Sequence, residues 1–185
     1  MDTIHVLGFS GSLRKASNNS GLLRAAADLL PPDMKLEIYD ISQIPLYNAD
    51  ILAAGMPEPV RDFKARIAAA DALLIATPEY NYSMPGVLKN ALDWASRPPK
   101  ESPLNGKPLA IMGAGGVLGT SRAQYHLRQV ASGLNMLALN KPELAIQRGW
   151  EKFDEHGNLI DEATREQLRD LLDALAAWTR RLRCA

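Results

Sequence analysis

Gly8-Phe9-Ser10-Gly11-Ser12-Leu13-Arg14-Lys15-Ala16-Ser17-Asn18-Asn19-Ser20 is the stretch on which the reading of the fold turns. An apolar, strand-sized run, Ile4 to Phe9, leads into it. A stripe of Leu22, Leu23, Ala26, Leu29 and Leu30 at helical spacing follows, and Pro31 and Pro32 end it. A strand, a polar glycine-serine loop and a helix, in that order, open a parallel α/β unit whose ligands bind outside the carboxyl ends of the strands.

The rest of the chain repeats the alternation. Strand-sized runs recur at Leu36 to Tyr39, Leu73 to Thr77, Leu109 to Gly113 and Met136 to Leu139. Helical spacing recurs through Val60, Phe63, Ile67 and Ala70, and again through Val87, Leu88, Ala91, Leu92 and Ala95, where Pro85 is expected in the first turn. A fourth helix follows Thr120 through Ala123, Leu127, Val130 and Leu134. A fifth runs from a cap at Asp161 through Leu168, Leu171, Leu172, Leu175 and Leu182, closed by Arg180, Arg181 and Arg183 at the negative end of its dipole. Five strands alternating with five helices predict an open parallel sheet covered on both faces, a three-layer α/β domain. Ile41 to Gly55 and Arg97 to Pro108 read as long loops, and Asp154 to Asn158 as a turn.

The chain has 185 residues, 46% apolar and 23% charged, with 21 acidic and 21 basic side chains. We expect one domain spanning residues 1–185. Charge balance removes the field that nonspecific nucleic-acid or anionic-membrane binding would use, so neither partner is expected. No apolar run approaches a bilayer span, and Met1 leads at once through Asp2 into a strand, so a cytoplasmic protein is expected. The one cysteine, Cys184, provides neither an internal disulfide nor a thiolate metal site, and His5, His126 and His156 are too scattered for a metal cluster.

In the loop after the first strand, hydroxyls at Ser12, Ser17 and Ser20, the amide of Asn19, the Arg14 guanidinium and the free N–H groups of a helix start suit a dianionic phosphate, with Gly11 letting the backbone approach. The plainer reading is a polar loop with a serine or asparagine helix cap. Spelling removes three rivals. No Gly-Lys-Ser/Thr ends the loop, no Gly-x-Ser-x-Gly elbow is present, and the cysteine of a low-molecular-weight tyrosine phosphatase is missing.

After the third strand, Thr77-Pro78-Glu79-Tyr80-Asn81-Tyr82-Ser83-Met84-Pro85-Gly86 offers a proline-stiffened loop with two flat side chains, fit to hold a planar heterocycle or to pack its tyrosines on a neighbour. After the fourth, Gly113-Ala114-Gly115-Gly116-Val117-Leu118-Gly119 departs from a dinucleotide fingerprint at Leu118 and follows the wrong strand. Its bare backbone is read as room for something flat to lie close. Phosphate, ring contact and close approach at one sheet edge describe a mononucleotide with a large planar ring.

These stretches, together with Pro85-Gly86-Val87-Leu88-Lys89-Asn90-Ala91-Leu92-Asp93-Trp94, Arg122-Ala123-Gln124-Tyr125-His126-Leu127-Arg128-Gln129 and Asn140-Lys141-Pro142-Glu143, resemble the NADPH-dependent FMN reductase family, whose bacterial members include quinone, chromate and azo-dye reductases. The resemblance implies a flavodoxin-like three-layer sandwich with a five-stranded parallel sheet of order 2-1-3-4-5 and one non-covalent FMN. It assigns the phosphate to Ser12, Arg14, Ser17 and Asn19 with Asn18 beside them. The isoalloxazine falls to Pro78, Glu79, Tyr80 and Asn81, largely through main-chain groups, and to the approach of Ala114 and Gly115. NADPH or NADH would pass a hydride to the flavin, and a small-molecule acceptor would then use the same space, with no catalytic side chain nominated.

The resemblance also implies a homo-oligomer, dimer or tetramer. Tyr82, Arg122, Tyr125 and Glu143 would form a polar cluster at a subunit contact or, more simply, stand as exposed charges on a helix and a loop; Tyr125 and His126 read as structural. The competing class is an electron-carrier flavodoxin without NAD(P)H turnover. Such carriers are usually strongly acidic and this chain is neutral. A flavin-binding regulatory or scaffold protein has no feature in its favour.

Overall fold

A parallel sheet of strands β1 (Ile4–Ser10), β2 (Met34–Tyr39), β3 (Ala72–Ala76), β4 (Pro108–Ala114) and β5 (Leu137–Ala138), in the spatial order β2-β1-β3-β4-β5, runs through the middle of the computed structural model, which describes residues 3–183. Along the chain the elements are β1 (Ile4–Ser10), α1 (Asn18–Asp28), β2 (Met34–Tyr39), α2 (Ala49–Ala54), α3 (Glu58–Ala69), β3 (Ala72–Ala76), α4 (Gly86–Ala95), β4 (Pro108–Ala114), α5 (Ser121–Gly133), β5 (Leu137–Ala138), β6 (Leu144–Ile146) and α6 (Glu162–Arg183), with 3-10 turns at Pro99–Glu101 and Gly149–Glu151. Cys184 lies outside the described residues.

The predicted order holds, and the flavodoxin-like α/β class with it, but the sheet has six strands rather than five. The far edge of β4 is shared. β5 pairs with Pro108 and Leu109 at its start, and β6 pairs with Met112, Gly113 and Ala114 at its end. Asn140-Lys141-Pro142 separates the two partners, and Pro142 has no N–H to give to a ladder. Two other expectations shift slightly. The loop Ile41 to Gly55 contains the short α2, capped by Asn48, whose side chain accepts from the Asp50 N–H. Pro85 occupies the cap of α4 rather than its first turn, where its missing N–H is equally harmless.

Strand alternation divides the apolar residues between two cores. Val6, Leu74 and Met112 face α1 and α6, where they meet Leu22, Leu23, Leu168 and Leu172. Leu7, Ile75 and Ile111 face α3, α4 and α5, where they meet Phe63, Leu92 and Leu127. β3 is buried along its whole length, as a central parallel strand covered on both sides must be. At the start of α6 the Asp161 carboxylate accepts from the Thr164 N–H at 2.9 Å, so the predicted cap is present. At its end Arg180 pairs with Asp33 and Arg183 with Asp71, fastening the helix across the lower edge of the sheet. No helix among the described residues is long and apolar enough to cross a membrane.

Candidate functional site

The carboxyl ends of β1, β3 and β4 open into a cleft of about 450 Å³. The loop after β1 lines it with Ser12, Arg14, Ser17, Asn18 and Asn19, the loop after β3 with Pro78, Glu79 and Tyr80, and the end of β4 with Ala114 and Gly115. Three segments that are far apart in sequence therefore meet as expected. Asn81 does not line this cleft. It faces an adjoining hollow of about 620 Å³, shared with Tyr82, Val117, Leu118 and Arg122 and joined to the first through Glu79.

The loop after β1 turns its polar groups toward the cleft with its side chains partly committed. The Gly11 N–H donates to Ala76 O at 2.8 Å, prolonging the β1–β3 ladder by one residue before the chain turns. The Ser12 N–H then donates to Ser10 Oγ, and Arg14 reaches back to Ala16 O at 3.0 Å. Ser17, extended at φ −79°, caps α1 by accepting from the Ser20 N–H, while Ser17 O takes the Gly21 N–H. That leaves the N–H groups of Asn18 and Asn19, at the positive end of the helix, for a ligand. The cap reading of this loop is thus realised, and the cap leaves the helix start open toward the cleft.

Asn19 has a role that spelling did not reveal. Its buried amide donates to Ala114 O and accepts from the Ala114 N–H, both at 3.0 Å, which ties the loop after β1 to the end of β4. Its side chain is engaged with protein; what it offers an anion is its backbone N–H. Gly11 likewise faces inward, since a Cβ there would press on Pro78, Pro85 and Leu88 at 3.3 Å.

In the loop after β3, Tyr80 and Ser83 exchange both backbone hydrogen bonds at 3.0 Å, closing a two-residue turn in which Asn81 (φ 50°) and Tyr82 (φ 67°) are left-handed. Asparagine adopts that conformation readily, but tyrosine does so only under external constraint. Arg122 supplies the constraint with its guanidinium 3.8 Å above the Tyr82 ring. The Glu79 carboxylate accepts from the Arg122 and Ala123 N–H groups at 2.9 and 3.1 Å and from the Arg122 guanidinium at 3.3 Å. Thr120, the residue at the cap of α5, makes no side-chain cap bond, so Glu79 caps that helix from another loop. His126 Nδ1 lies 2.9 Å from Ser83 Oγ and steadies the far side of the turn. Tyr80 and Tyr82 stay 55% and 67% exposed, so neither is packed away as a core residue.

The glycine-rich loop after β4 has a packing reason for its glycines that the sequence did not reveal. A Cβ at Gly113 would collide with Thr120 and Thr77, one at Gly115 with Gly119 O, and one at Gly119 with Ala145 O. These glycines are required by the protein's own packing, and Gly115 also lines the cleft; at Gly116 alone is the space open. The loop is then laced to the segment after β6. The Arg148 N–H donates to Gly116 O and the Gly149 N–H to Gly115 O, both at 2.9 Å, and this brings Trp150 to the cleft wall. Trp150 escaped the sequence reading. The Gly149-Trp150 pair, two residues beyond the short apolar run Leu144–Ile146, was the available signal. The proposed four-residue cluster separates. Tyr82 and Arg122 join Glu79, whereas Tyr125 and Glu143 border a different hollow beside Arg128, with Glu143 3.5 Å from Lys141.

The arrangement matches known proteins along nearly the whole chain. The family model for NADPH-dependent FMN reductase matches residues 4–151. An NAD(P)H-dependent FMN reductase of Pseudomonas aeruginosa is 57% identical over 183 residues, covering 98% of both chains. A 2-hydroxy-1,4-benzoquinone reductase of Burkholderia is 49% identical, covering 92% of this chain and 93% of its own. Among solved structures, the flavoenzyme NAD(P)H:(acceptor) oxidoreductase FerB of Paracoccus denitrificans superposes with a TM-score of 0.88 at 37% identity, covering 97% and 98% of the two chains. With a three-loop cleft at the predicted sheet edge and relatives of this likeness, the chain belongs to the NADPH-dependent FMN reductase family of oxidoreductases.

Proposed function

We propose that this chain is an FMN-dependent oxidoreductase that takes a hydride from NADPH or NADH and delivers the electrons to a small acceptor, a quinone first among them. The observation that carries the reading is the cleft itself. One end gathers the hydroxyls of Ser12 and Ser17, the Arg14 guanidinium and the start of α1, a donor set for a phosphate; the other is bounded by Pro78, Tyr80 and Ala114, surfaces for a flat ring. These residues fit FMN, which when bound supplies the redox chemistry. Ser12, Arg14, Ser17, Asn18 and Asn19 would hold its phosphate. Pro78, Glu79 and Tyr80, with Ala114 and Gly115, would orient the ring through main-chain groups, the Glu79 side chain being occupied at α5 and Asn81 standing in the adjoining hollow.

Donor and acceptor would use the same mouth in turn, a ping-pong order, because both must reach one open face. The relative named a 2-hydroxy-1,4-benzoquinone reductase supports quinones as acceptors. Azo compounds, metal oxyanions and free flavin are further candidates for an open, shallow mouth. We place the enzyme in the cytoplasm, where reduced nicotinamide is supplied, as one FMN-binding domain over residues 1–185.

The purified protein should be yellow and release FMN, not FAD, on heating. NADPH oxidation with benzoquinone should give parallel double-reciprocal lines. Intersecting lines would refute the ping-pong order, and FMN binding without turnover would favour the electron-carrier alternative.

A further inference from the structure

Trp150 is 63% exposed, whereas Trp94 is fully buried and Trp178 is half-buried. The indole N–H groups of Trp94 and Trp178 donate to Pro45 O and Leu137 O, both at 2.8 Å; among the described residues, no acceptor pairs with that of Trp150. A large aromatic left open to water beside a cleft, with its one polar atom unspent, is a side chain prepared for a ligand.

Its mounting is stiff. Arg148, left-handed at φ 49°, turns the chain into the 3-10 segment Gly149–Glu151, where the Glu151 N–H closes on Arg148 O at 2.8 Å. The Gly149 N–H bonds Gly115 O, and a Cβ at position 149 would stand 2.8 Å from the Asn18 side chain. Phe153, buried, anchors the far end. The backbone that carries the indole is thereby held between the loop after β1 and the end of β4, and Trp150 lines the cleft together with Ser17, Asn18 and Gly115.

We infer that Trp150 is a cofactor-contacting residue: its indole stands between the loop after β1 and Gly115 and packs on bound FMN. This rests on the FMN reading of the cleft. Packing on a pre-positioned aromatic adds affinity without ordering a loop at the moment of binding. It also explains why the segment after β6 is bonded to the loop after β4 instead of standing free.

FMN titration of the apoprotein tests the inference without turnover. Trp150→Ala should bind FMN about tenfold more weakly, in the range of an aromatic-stacking truncation. Trp150→Phe, which keeps a flat ring, should stay within about threefold of wild type, and bound-flavin emission should rise in both variants once the indole no longer contacts it. Wild-type affinity and emission in Trp150→Ala would overturn the inference, as would an altered mass in solution with FMN affinity unchanged, which would assign the indole to a subunit contact. A wild-type protein that takes up no FMN would instead remove the underlying reading, so the two failures are distinguishable.

Discussion

Asn19 and Glu79 each spend a polar side chain on another segment's backbone. Asn19 satisfies both polar groups of Ala114, 95 positions away, and Glu79 satisfies two N–H groups at the start of α5. For Asn19→Ala we expect a buried donor and acceptor to lose their partners, costing about 1–3 kcal/mol in urea unfolding, together with weaker FMN binding as the phosphate loop loses its tie. Unchanged stability would argue that water replaces the amide. For Glu79→Gln, one carboxylate oxygen's worth of bonding to Arg122 and Ala123 persists through the amide oxygen, but the charge facing the helix dipole and the guanidinium is gone. A smaller loss, below about 1 kcal/mol, is expected. Residue types and the loops that carry them were readable in the sequence, and all the nominated positions but Asn81 line the cleft. Partners were not readable. A polar residue beside a helix start is equally suited to an anion or to a strand end, and only the tertiary path decides.

Among the elements, α1 and α6 were plain from their periodicity because each buries a continuous apolar stripe. β6 was not, since Leu144–Ile146 offers three residues where a two-residue period needs more to show itself. Nor was the strap between the Gly149–Glu151 turn and α6. There Arg24 of α1 donates to Gly157 O and Asn158 Oδ1, both at 3.1 Å, and Gly157, at φ 75°, lies so close to Ala16 and Ser17 that a side chain would press on their backbone at 3.0–3.1 Å. Gly157→Ala should therefore loosen the phosphate loop from outside the cleft, read as reduced FMN affinity and earlier proteolysis near Ala16.

Where the strap meets α6, the Asp161 carboxyl is held down to about 2, first by the Lys152 ammonium and then by the Thr164 hydroxyl. A depressed carboxyl stabilises the folded state fully above its ordinary value of 3.8 and loses that contribution as pH falls toward about 2. Stability should thus decline across that window, and Asp161→Asn should flatten the decline; an identical acid limb in the variant would rule out this source.

For the molecule as a whole, the two-sided parallel sheet was legible because crossover connections and alternating elements leave few topologies. Assembly was not. Tyr82 and Val117 are each 67% exposed beside Arg122, and we propose that this surface meets a second copy of the chain, as the dimer or tetramer implied by the family resemblance would need. Arg122→Ala removes the support under Tyr82 and one Glu79 contact, and should lower the mass measured by sedimentation. An unchanged assembly would place the contact elsewhere.

Ala114 ends β4 and is clasped by Asn19, and the next residue, Gly115, is bonded to Gly149. A genetic screen should feel that linkage. Lesions in the first loop ought to be rescued by second-site changes near residues 114–116 or 148–150, because compensating shifts travel through a common hub, rather than by changes scattered over the surface.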